Sequence, residues 1–592
     1  MKKNTLGWSG LALLVIIVAA IFVRTYKFDD YLYFKMDQSR DALLLTNAVE
    51  NGPQYLPLLG ARVGAVKLKH GFLRLGPISY YFQYLSAVVF HSTQAYVYAY
   101  PDLMFSILTI PLLFFFLRLY FSKHNALFIT AMYAFSFIII QYSRFAWNPN
   151  SLQFFLLLTF YGLLRFFNET NEKLRRRWLA LWAVGMIIGS QLHFFGFFSL
   201  VGISGLMIIF HYELWKKENI SNHLQKEAMK GFAKYAAIVL LVFTIFYTPL
   251  IISDVFRKGE NTHNFFEALT SKPVNKPLSQ KIVKTTTENL KYYCLITTSQ
   301  CYGSDMKKEY PAIAATVLVL LSGLLLVVYN LRKKVLTKTK KDFLILLAVW
   351  VAVFTILTVP VAFQLRPRFF IVVFAIPFIS LGLFFEYLEE KMNRKNAILL
   401  AVLLTAGVIG WNTHGTLAWF KEQADSQKKA VIVKRTLILK AKDGVTLGQL
   451  QGVTDWMYSR HKQGDTLYYY VKPEHVRPIT FLLHEKRDQN LVSTTMTINN
   501  DPNAQYFAVV PTKNGLEPLF SKYPNNKISV VAQQQFGQLT VFEVAIGDRS
   551  TSATFRFNKS SSKKDDRIYW KDVFGIKENK DNKNLIPISG DE

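Results

Sequence analysis

The sequence predicts a polytopic α-helical membrane protein of about 11 spans that ends in an extracytoplasmic α/β domain. Of the 592 residues, 51% are hydrophobic and only 18% are charged, whereas soluble domains carry about 25% charged residues. The 49 Phe and 30 Tyr residues agree with lipid-facing helices whose ends carry aromatic belts. Apolar runs of nearly 20 residues, the length that crosses a bilayer core of about 30 Å, recur along the chain. A disordered or fibrous protein is therefore excluded, and the composition disfavours a purely soluble enzyme.

The spans follow from these runs and from their interruptions. Run 178–210 is interrupted by Gln191 and His193, so we divide it into two short spans. Run 78–90 is too short to cross a bilayer, and we predict a juxtamembrane or re-entrant helix there. The remaining spans are 7–24, 103–120, 125–141, 151–168, 235–252, 311–329, 343–360, 369–387 and 396–411.

The basic residues set the predicted orientation, because Lys and Arg of short loops collect on the cytoplasmic side. All basic loops fall on one side only if run 78–90 does not cross. The N-terminus is then cytoplasmic and the C-terminal domain lies outside a plasma (inner) membrane. The basic loops contain Lys2 and Lys3, Arg118 and Lys123, Lys173 to Arg177, Lys216 and Lys217, Arg332 to Lys341, and Lys391 to Lys395.

Three units are predicted along the chain: a transmembrane domain, an extracytoplasmic α/β domain and a flexible polar tail, at 1–411, 412–554 and 555–592. The first unit contains two large outer loops, 25–97 and 253–310. In the second unit, an amphipathic helix with Leu447, Leu450, Val453 and Met457 on one face precedes strand-like runs. These runs are 465–473, 504–511, 527–533 and 539–546.

The net charge of +29 indicates an anionic partner. Because the chain is so apolar, the lipid bilayer and an anionic substrate are the expected partners, and no nucleic acid. No phosphate-cradling glycine loop is visible, which argues against an ATP-driven transporter and a nucleotide-sugar enzyme.

Cys294 and Cys301 are the only cysteines and lie in the second outer loop. An oxidising exterior favours a disulfide, but spacing alone does not establish the geometry. A disulfide and two unlinked thiols therefore both remain open.

The first outer loop contains the main catalytic candidates. Asp37 and Asp41 are four residues apart, so they share one face of a helix, with Arg40 nearby. Carboxylates beside a membrane are costly unless they are paired or used. Asp37 is either a general base for an acceptor hydroxyl or the N-cap of a helix that begins at Gln38.

Two further outer turns carry arginines. In the turn 143–150, Arg144 is a candidate for binding a lipid phosphate and Asn148 for binding a sugar; the alternative is an interfacial anchor. Arg366 and Arg368 lie at the outer end of a late span, where positive charge is unusual. Their guanidinium groups match phosphate oxygens, and contact with lipid headgroups is the alternative.

The remaining candidates are His70, Arg74 and Tyr80 in the first outer loop and His193 between the two short spans. A single histidine is more often structural than catalytic. All the cationic candidates nevertheless fall on the outer side, which predicts one outward-facing site.

Together these segments resemble the GT-C membrane glycosyltransferases, in particular the branch that contains protein O-mannosyltransferases and the aminoarabinose transferase of lipid A. That branch carries an acidic dipeptide in the first outer loop, matched by Asp37-Gln38, and a Tyr-rich turn before a juxtamembrane helix, matched by Gly76-Pro77-Ile78-Ser79-Tyr80-Tyr81. A Ser-Arg element and an Arg-Tyr element follow, matched by Ser143-Arg144 and Arg368-Phe369. The resemblance covers about residues 1–411.

The resemblance implies an enzyme that moves a hexosyl or pentosyl group from a polyprenyl-phosphate donor, with inversion, to a hydroxyl of a lipid, glycan or protein acceptor. Asp37 and Asp41 are then the catalytic candidates, with Asp37 as general base. The donor phosphate would be held by residues among Arg40, Arg74, Arg144, Arg366 and Arg368, with Arg144 and Arg368 favoured. Substrate binding is assigned to Gln38, His70, Tyr80, Asn148 and His193.

Two differences from that family bear on metal chemistry. Gln38 stands where relatives have Glu, and Asn148 and Asn150 stand where some relatives have an acidic residue. Since hard cations prefer carboxylate oxygens, a divalent metal is not favoured, and no metal site or cofactor is expected.

A transporter or flippase of lipid-linked saccharides is the main alternative, and a non-catalytic assembly protein is a third. Transporters often show repeated halves and mid-membrane ionisable residues, whereas this chain shows no clear repeat and its charges collect at one face. For the assembly protein, substitution of Asp37 by Asn would leave function intact.

Overall fold

The computed structural model consists of a helical bundle that carries a small mixed sheet at its C-terminal end. It describes residues 7–64, 68–69, 71–216, 226–270, 275–302, 309–333, 335–438, 443–462, 464–486, 492–498, 501–549, 553–554 and 567–576.

The bundle is built from sixteen described helices. In chain order they are α1 Trp8–Thr25, α2 Met36–Asn51, α3 Ile78–Val89, α4 Tyr100–Leu117, α5 Lys123–Ala134, α6 Phe137–Tyr142, α7 Leu152–Asn168, α8 Glu172–Leu192, α9 Phe194–Tyr212, α10 Lys226–Phe256, α11 Glu260–Thr270, α12 Leu278–Thr298, α13 Tyr310–Leu331, α14 Lys338–Thr358, α15 Ile376–Lys391 and α16 Arg394–Lys428.

Among the described residues, eight helical segments are long and apolar enough to cross a membrane. They are Trp8–Thr25, Val97–Leu117, Phe194–Tyr212, Ala233–Phe256, Tyr310–Leu331, Lys338–Thr358, Pro367–Lys391 and Arg394–Lys428. The other three predicted spans are also helical, but shorter, broken or more polar: α5 with α6, α7, and α8. The predicted fold class, a polytopic helical membrane protein with about 11 spans, is confirmed.

Four bundle helices begin with a side-chain cap, which satisfies one of the free N–H groups at a helix start. These helices, α5, α8, α14 and α16, all follow basic loops that the sequence assigns to the cytoplasm. The capping residues are Ser122, Asn171, Thr337 and Asn393, which accept from the backbone N–H of Asn125, Leu174, Lys340 and Lys395.

The two irregular stretches of the sequence become the expected breaks. Helix α8 ends at Leu192 and α9 begins at Phe194, with His193 in extended conformation between them. Helix α3 has 12 residues, which is about 18 Å at 1.5 Å per residue, too short to cross. The backbones of α7 and α8 approach closely at Gly162, because a Cβ atom added there would lie only 2.8 Å from the backbone nitrogen of Trp182.

The C-terminal domain contains the helix and the four strands that alternation predicts. Its elements are α17 Leu447–Arg460, β1 Thr466–Val471, α18 Pro473–His484, β2 Val492–Thr495, β3 Thr497–Ile498, β4 Ala504–Pro511, α19 Glu517–Lys522, β5 Ile528–Phe536, β6 Leu539–Ile546 and β7 Ala553–Thr554. The main sheet has the order β2-β1-β4-β6-β5, and β3 pairs with β7. Strand β1 is parallel to β2 and β4, whereas β6 is antiparallel to β4 and β5.

Two segments differ from the predicted domain division. Helix α16 runs without interruption from Arg394 to Lys428, so the boundary placed at 411 falls inside one helix. Residues 567–576, in the tail predicted to be flexible, pack against the first outer loop and contain α20, Trp570–Val573. There Leu58 donates its N–H to the Ile568 carbonyl at 2.9 Å, and the Trp570 indole donates to the Tyr81 hydroxyl at 3.1 Å.

Cys294 and Cys301 form a disulfide at the end of α12, with their Cα atoms 6.0 Å apart. Both residues are buried. Of the two alternatives that the spacing leaves open, the disulfide is therefore the one found.

Candidate active site

The site is built around the first turn of α2. The helix begins at Met36, its N-cap is Lys35, and no side chain caps it. Asp37 lies inside the first turn, where a carboxylate is stabilised by the helix dipole, and its side chain is 55% exposed. The alternative in which Asp37 caps a helix beginning at Gln38 is therefore wrong. The Asp37 carboxylate is open to solvent.

Asp41 has a different environment from Asp37. It is buried and accepts from Arg40 Nε and from the Tyr80 hydroxyl, each at 2.8 Å. Burial raises the pKa of the Asp41 carboxyl, and the Arg40 cation opposes that rise. Asp41 thus fixes Arg40 and Tyr80, while Arg40 also reaches Asp37 at 3.4 Å.

The turn between α6 and α7 lies against α2. Asp102 of α4 holds this turn, because it accepts from the Trp147 N–H at 2.8 Å and from the Ser151 hydroxyl. Gln38 of α2 donates to the Ala146 carbonyl at 3.2 Å. Asn148 follows in the same turn, and neither its Oδ1 nor its Nδ2 has a hydrogen-bond partner.

Arg368 joins this group from the segment Pro367–Val373. Its guanidinium carbon lies 5.4 Å from the centre of the Trp147 ring, and Arg368 interacts electrostatically with Asp37. Its buried Nε has no hydrogen-bond partner. The neighbouring Arg366 is exposed and donates to the Leu365 carbonyl at 3.1 Å.

His193 packs beside this segment, with its ring 5.4 Å from that of Phe369. Burial, together with the nearby Arg368 cation, lowers the pKa of His193 to about 3. The imidazole is therefore neutral, and its Nδ1 has no hydrogen-bond partner.

Arg144 lies in the same turn as Trp147 but has other partners. Its terminal nitrogens donate to the carbonyls of Tyr26 at 2.7 Å, Lys27 at 3.2 Å, Val23 at 3.5 Å and Arg24. Val23 and Arg24 lie in the last turn of α1, whose carbonyls lack partners within the helix, and Tyr26 and Lys27 directly follow it. In this structure Arg144 therefore secures the end of α1.

Two other predicted residues lie away from this group. Arg74 is buried, its backbone N–H donates to Asn261 Oδ1 of α11 at 2.9 Å, and its Nη1 donates to the Gly60 carbonyl at 3.5 Å. His70 lies outside the described residues. The structure brings together the residues Asp37, Gln38, Arg40, Asp41, Tyr80, Asn148, His193 and Arg368, with Arg366 at the edge.

The C-terminal domain covers the start of α2. Leu447 donates its N–H to the Leu32 carbonyl at 2.9 Å, and the rings of Phe34 and Phe481 are 5.2 Å apart. The buried Lys35 ammonium donates to Asp443. Side chains 38–48 of α2 are all buried, so the helix is enclosed between the bundle and this domain.

Among the described residues, one group could supply metal ligands: Asp443, Glu474 and His475, whose ligand atoms lie within 4.8 Å of one another. The Lys35 ammonium already supplies a positive charge to Asp443. Burial, reinforced by Lys35 and Lys472, lowers the pKa of His475 to about 3. This donor set is explained by the ion pair between the two domains, and we derive no metal-dependent step from it.

Sequence reasoning missed Tyr33 and Gln153. Burial raises the pKa of the Tyr33 phenol, and the charges of Asp37, Asp443 and Glu474 raise it further, so Tyr33 lies between α2 and the C-terminal domain. Gln153 is a polar residue within the apolar run 151–168. A glutamine in a largely apolar run was the sequence signal that could have identified it.

Residues 9–252 match the family model of the dolichyl-phosphate-mannose-protein mannosyltransferases. Among solved structures, ArnT from Cupriavidus metallidurans bound to undecaprenyl phosphate is similar over 90% of this chain and 97% of that chain, with 12% identity and a TM-score of 0.50. The apo oligosaccharyltransferase of Archaeoglobus fulgidus is similar over 86% of this chain and 70% of that chain, with 12% identity and a TM-score of 0.52. No curated protein sequence matches the chain.

The chain has the GT-C glycosyltransferase fold. The family resemblance inferred from the motifs is thereby confirmed, and so is the predicted enzyme class, a membrane glycosyltransferase. The comparisons give the transporter alternative no support. The family match ends at residue 252, so Arg366 and Arg368 lie beyond it, and their place in the GT-C site depends on the geometry described above.

Proposed function

We propose that this chain transfers a sugar from a polyprenyl-phosphate carrier to an acceptor hydroxyl on the outer side of the membrane, with inversion and with Asp37 as general base. The observation that carries the proposal is an open carboxylate, Asp37, within the electrostatic reach of the cation Arg368. A base and a phosphate-binding cation are the two groups that such a transfer needs.

An apolar groove in the helical bundle supports a lipid-linked donor. The groove has a volume of about 280 Å³ and is lined by helices α12 to α15, with Leu324, Val351 and Leu383 in its wall. Ile376 and Tyr293 line it as well, and the Tyr293 ring lies 6.0 Å from that of Phe370. One wall of the groove therefore packs against Phe370, two residues from Arg368. An apolar tail with an anionic head, a polyprenyl phosphate, fits this combination.

The comparisons agree with such a donor. The ArnT structure of the same fold was solved with undecaprenyl phosphate, and the family model is named for transferases that use dolichyl phosphate mannose. We assign that class of carrier to this chain.

The reaction follows from the positions of these residues. Asp37 takes the proton of the acceptor hydroxyl while the acceptor oxygen forms a bond to the anomeric carbon. The bond from that carbon to the phosphate oxygen breaks, and the phosphate leaves with the electron pair. Arg368, with Arg40 beside the base, stabilises the charge that develops on the phosphate. Asp41 positions Arg40 and does not contact the substrate.

The proposed orientation places the C-terminal domain and the disulfide outside and the capped helix starts inside. We expect a membrane-impermeant maleimide to label Ser459→Cys in intact cells and to label Lys338→Cys only after permeabilisation. Both positions are exposed, and the two native cysteines are joined in a disulfide, so they do not react. Labelling of Lys338→Cys in intact cells would reverse the orientation.

The proposed donor is tested in cells with and without the chain. We expect lipid extracts from cells that lack it to accumulate a polyprenyl-phosphate sugar, whose mass in the mass spectrometer identifies the class of sugar. Restoring the wild-type chain should remove the accumulated species. Identical lipid profiles in the two strains would refute the proposed donor.

A further inference from the structure

Two buried amide side chains near Arg368 have no hydrogen-bond partner for any of their polar atoms. They are Asn148, in the turn after α6, and Gln153, in the first turn of α7. Each is only 4% exposed. Buried polar atoms are nearly always paired, so four unpaired atoms on two consecutive turns of chain indicate a polar ligand.

Both amides lie beside residues that pack against the segment that carries Arg368. Asn148 follows Trp147, whose ring lies under the Arg368 guanidinium. Gln153 and Phe160 are seven residues apart and therefore share one face of α7. The Phe160 ring lies 4.8 Å from that of Trp350, and the Trp350 indole donates to the Val372 carbonyl at 2.9 Å. Gln153 thus lies two turns nearer the outer end, on the face of α7 that points towards Pro367–Val373.

Two further unpaired atoms lie at the edges of this group. Gln38 has a free Oε1 while its Nε2 donates to the Ala146 carbonyl, and the neutral His193 has a free Nδ1. The group formed by Gln38, Asn148, Gln153 and His193, called here the amide pocket, lies on the bundle side of Asp37 and Arg368.

The chemistry of the amide pocket selects its ligand. An amide offers donors and an acceptor, and a sugar hydroxyl both donates and accepts, so each amide can pair with hydroxyl groups. A buried ammonium group would need a counter-charge. Asp102, which lies against this turn, is occupied by the Trp147 N–H and the Ser151 hydroxyl, and Asp37, which Arg40 already contacts at 3.4 Å, serves the acceptor hydroxyl in the proposed reaction. An additional carboxylate on the sugar would compete with the phosphate for Arg368.

We propose that the amide pocket binds the sugar of the donor and that this sugar is uncharged, with Asn148 and Gln153 as its specificity-determining residues. This inference rests on the proposed function, since Arg368 must hold the donor phosphate. It adds to that function the chemical class of the transferred group.

The test measures binding by the full-length chain in lipid nanodiscs, with native mass spectrometry as the readout. The probes are undecaprenyl phosphate alone and the same lipid carrying glucose or mannose, aminoarabinose, or glucuronic acid. We expect a neutral hexosyl lipid to bind about tenfold more tightly than either charged one. Asn148→Leu and Gln153→Met should each weaken hexosyl-lipid binding about fivefold to tenfold, the usual cost of a lost hydrogen bond, and leave binding of undecaprenyl phosphate unchanged.

Two variants make the test specific. Asn148→Asp, which places a carboxylate in the amide pocket, should shift the preference towards the aminoarabinosyl lipid. Gln423→Met removes a buried glutamine that also has an unpaired Oε1 but lines a separate cavity with Arg144 and Trp419; it should bind every probe as the wild type does.

The possible failures are distinguishable. If no probe binds, or if Arg368→Gln binds undecaprenyl phosphate as well as the wild type does, the proposed function fails. If the lipids bind but the neutral sugar is not preferred, or if Asn148→Leu and Gln153→Met keep the wild-type preference, this inference is overturned.

Discussion

Replacing Asp37 by Asn is expected to lower the rate of sugar transfer by about 10²–10⁴-fold, the usual contribution of a positioned general base. The amide keeps the shape of the side chain and its place in the first turn of α2, but it cannot accept a proton. The fold should not change, because the Asp37 side chain is largely exposed and caps no helix. The measurement is the transfer rate in membranes, together with the polyprenyl-phosphate sugars that accumulate in cells carrying only the variant.

The matched control is Asp30→Asn, a change of the same kind at an exposed carboxylate in the same outer loop. We expect this control to transfer sugar at the wild-type rate. An Asp37→Asn variant that removes the accumulated donor as efficiently as the wild type would eliminate Asp37 as the base. The assembly-protein alternative would then gain support.

Arg368→Gln is expected to lower the transfer rate by about 10²–10³-fold, the usual loss when one group that stabilises developing charge is removed. Its thermal unfolding should stay close to that of the wild type, since the buried Nε has no protein partner to lose. Arg144→Gln should instead lower the stability of the fold and leave donor binding intact. The terminal nitrogens of Arg144 donate hydrogen bonds to the carbonyls of Tyr26 and Lys27, directly after α1. Each hydrogen bond from a charged donor contributes about 1.5–3 kcal/mol to the free energy of unfolding.

The two arginines are compared by measuring transfer per folded molecule and the unfolding temperature in the same detergent. We expect Arg144→Gln to unfold at a lower temperature and to reduce the amount of folded protein, while the molecules that remain folded bind the donor phosphate. If Arg144→Gln instead keeps its stability and loses donor binding, Arg144 holds the phosphate. The role assigned to Arg368 would then have to be shared.

The comparison of these arginines shows how far the sequence predicts the site. Arg144 and Arg368 are the same residue type, on the same side of the membrane, each beside aromatic residues. The sequence around each arginine does not distinguish them, because the carbonyls that accept hydrogen bonds from Arg144 lie at the end of α1, about 120 residues earlier in the chain. The N-cap alternative for Asp37 failed for a related reason: the helix starts two residues earlier than its sequence suggests, with Lys35 fixed by a distant partner.

The fold was easier to predict than the site. Span length and basic loops follow from the bilayer itself, and strand alternation in the C-terminal domain follows from burial of one face. The ordered segment 567–576 shows where composition fails. Its surroundings are polar and charged, yet Trp570 and the backbone at Ile568 find partners in the first outer loop. A few specific contacts order a segment whose average composition indicates disorder.

The ion pair between Lys35 and Asp443 has a consequence for the biosynthesis of the protein. The two residues are 408 positions apart, so the domain that encloses α2 is synthesised long after α2 itself. At about 5–20 residues per second, α2 waits roughly 20–80 s after its own synthesis for the partners that cover it. Every bundle helix can be inserted before then, while the site is still incomplete. The candidate active site around α2 is therefore completed only after the C-terminal domain has been made and has folded against it.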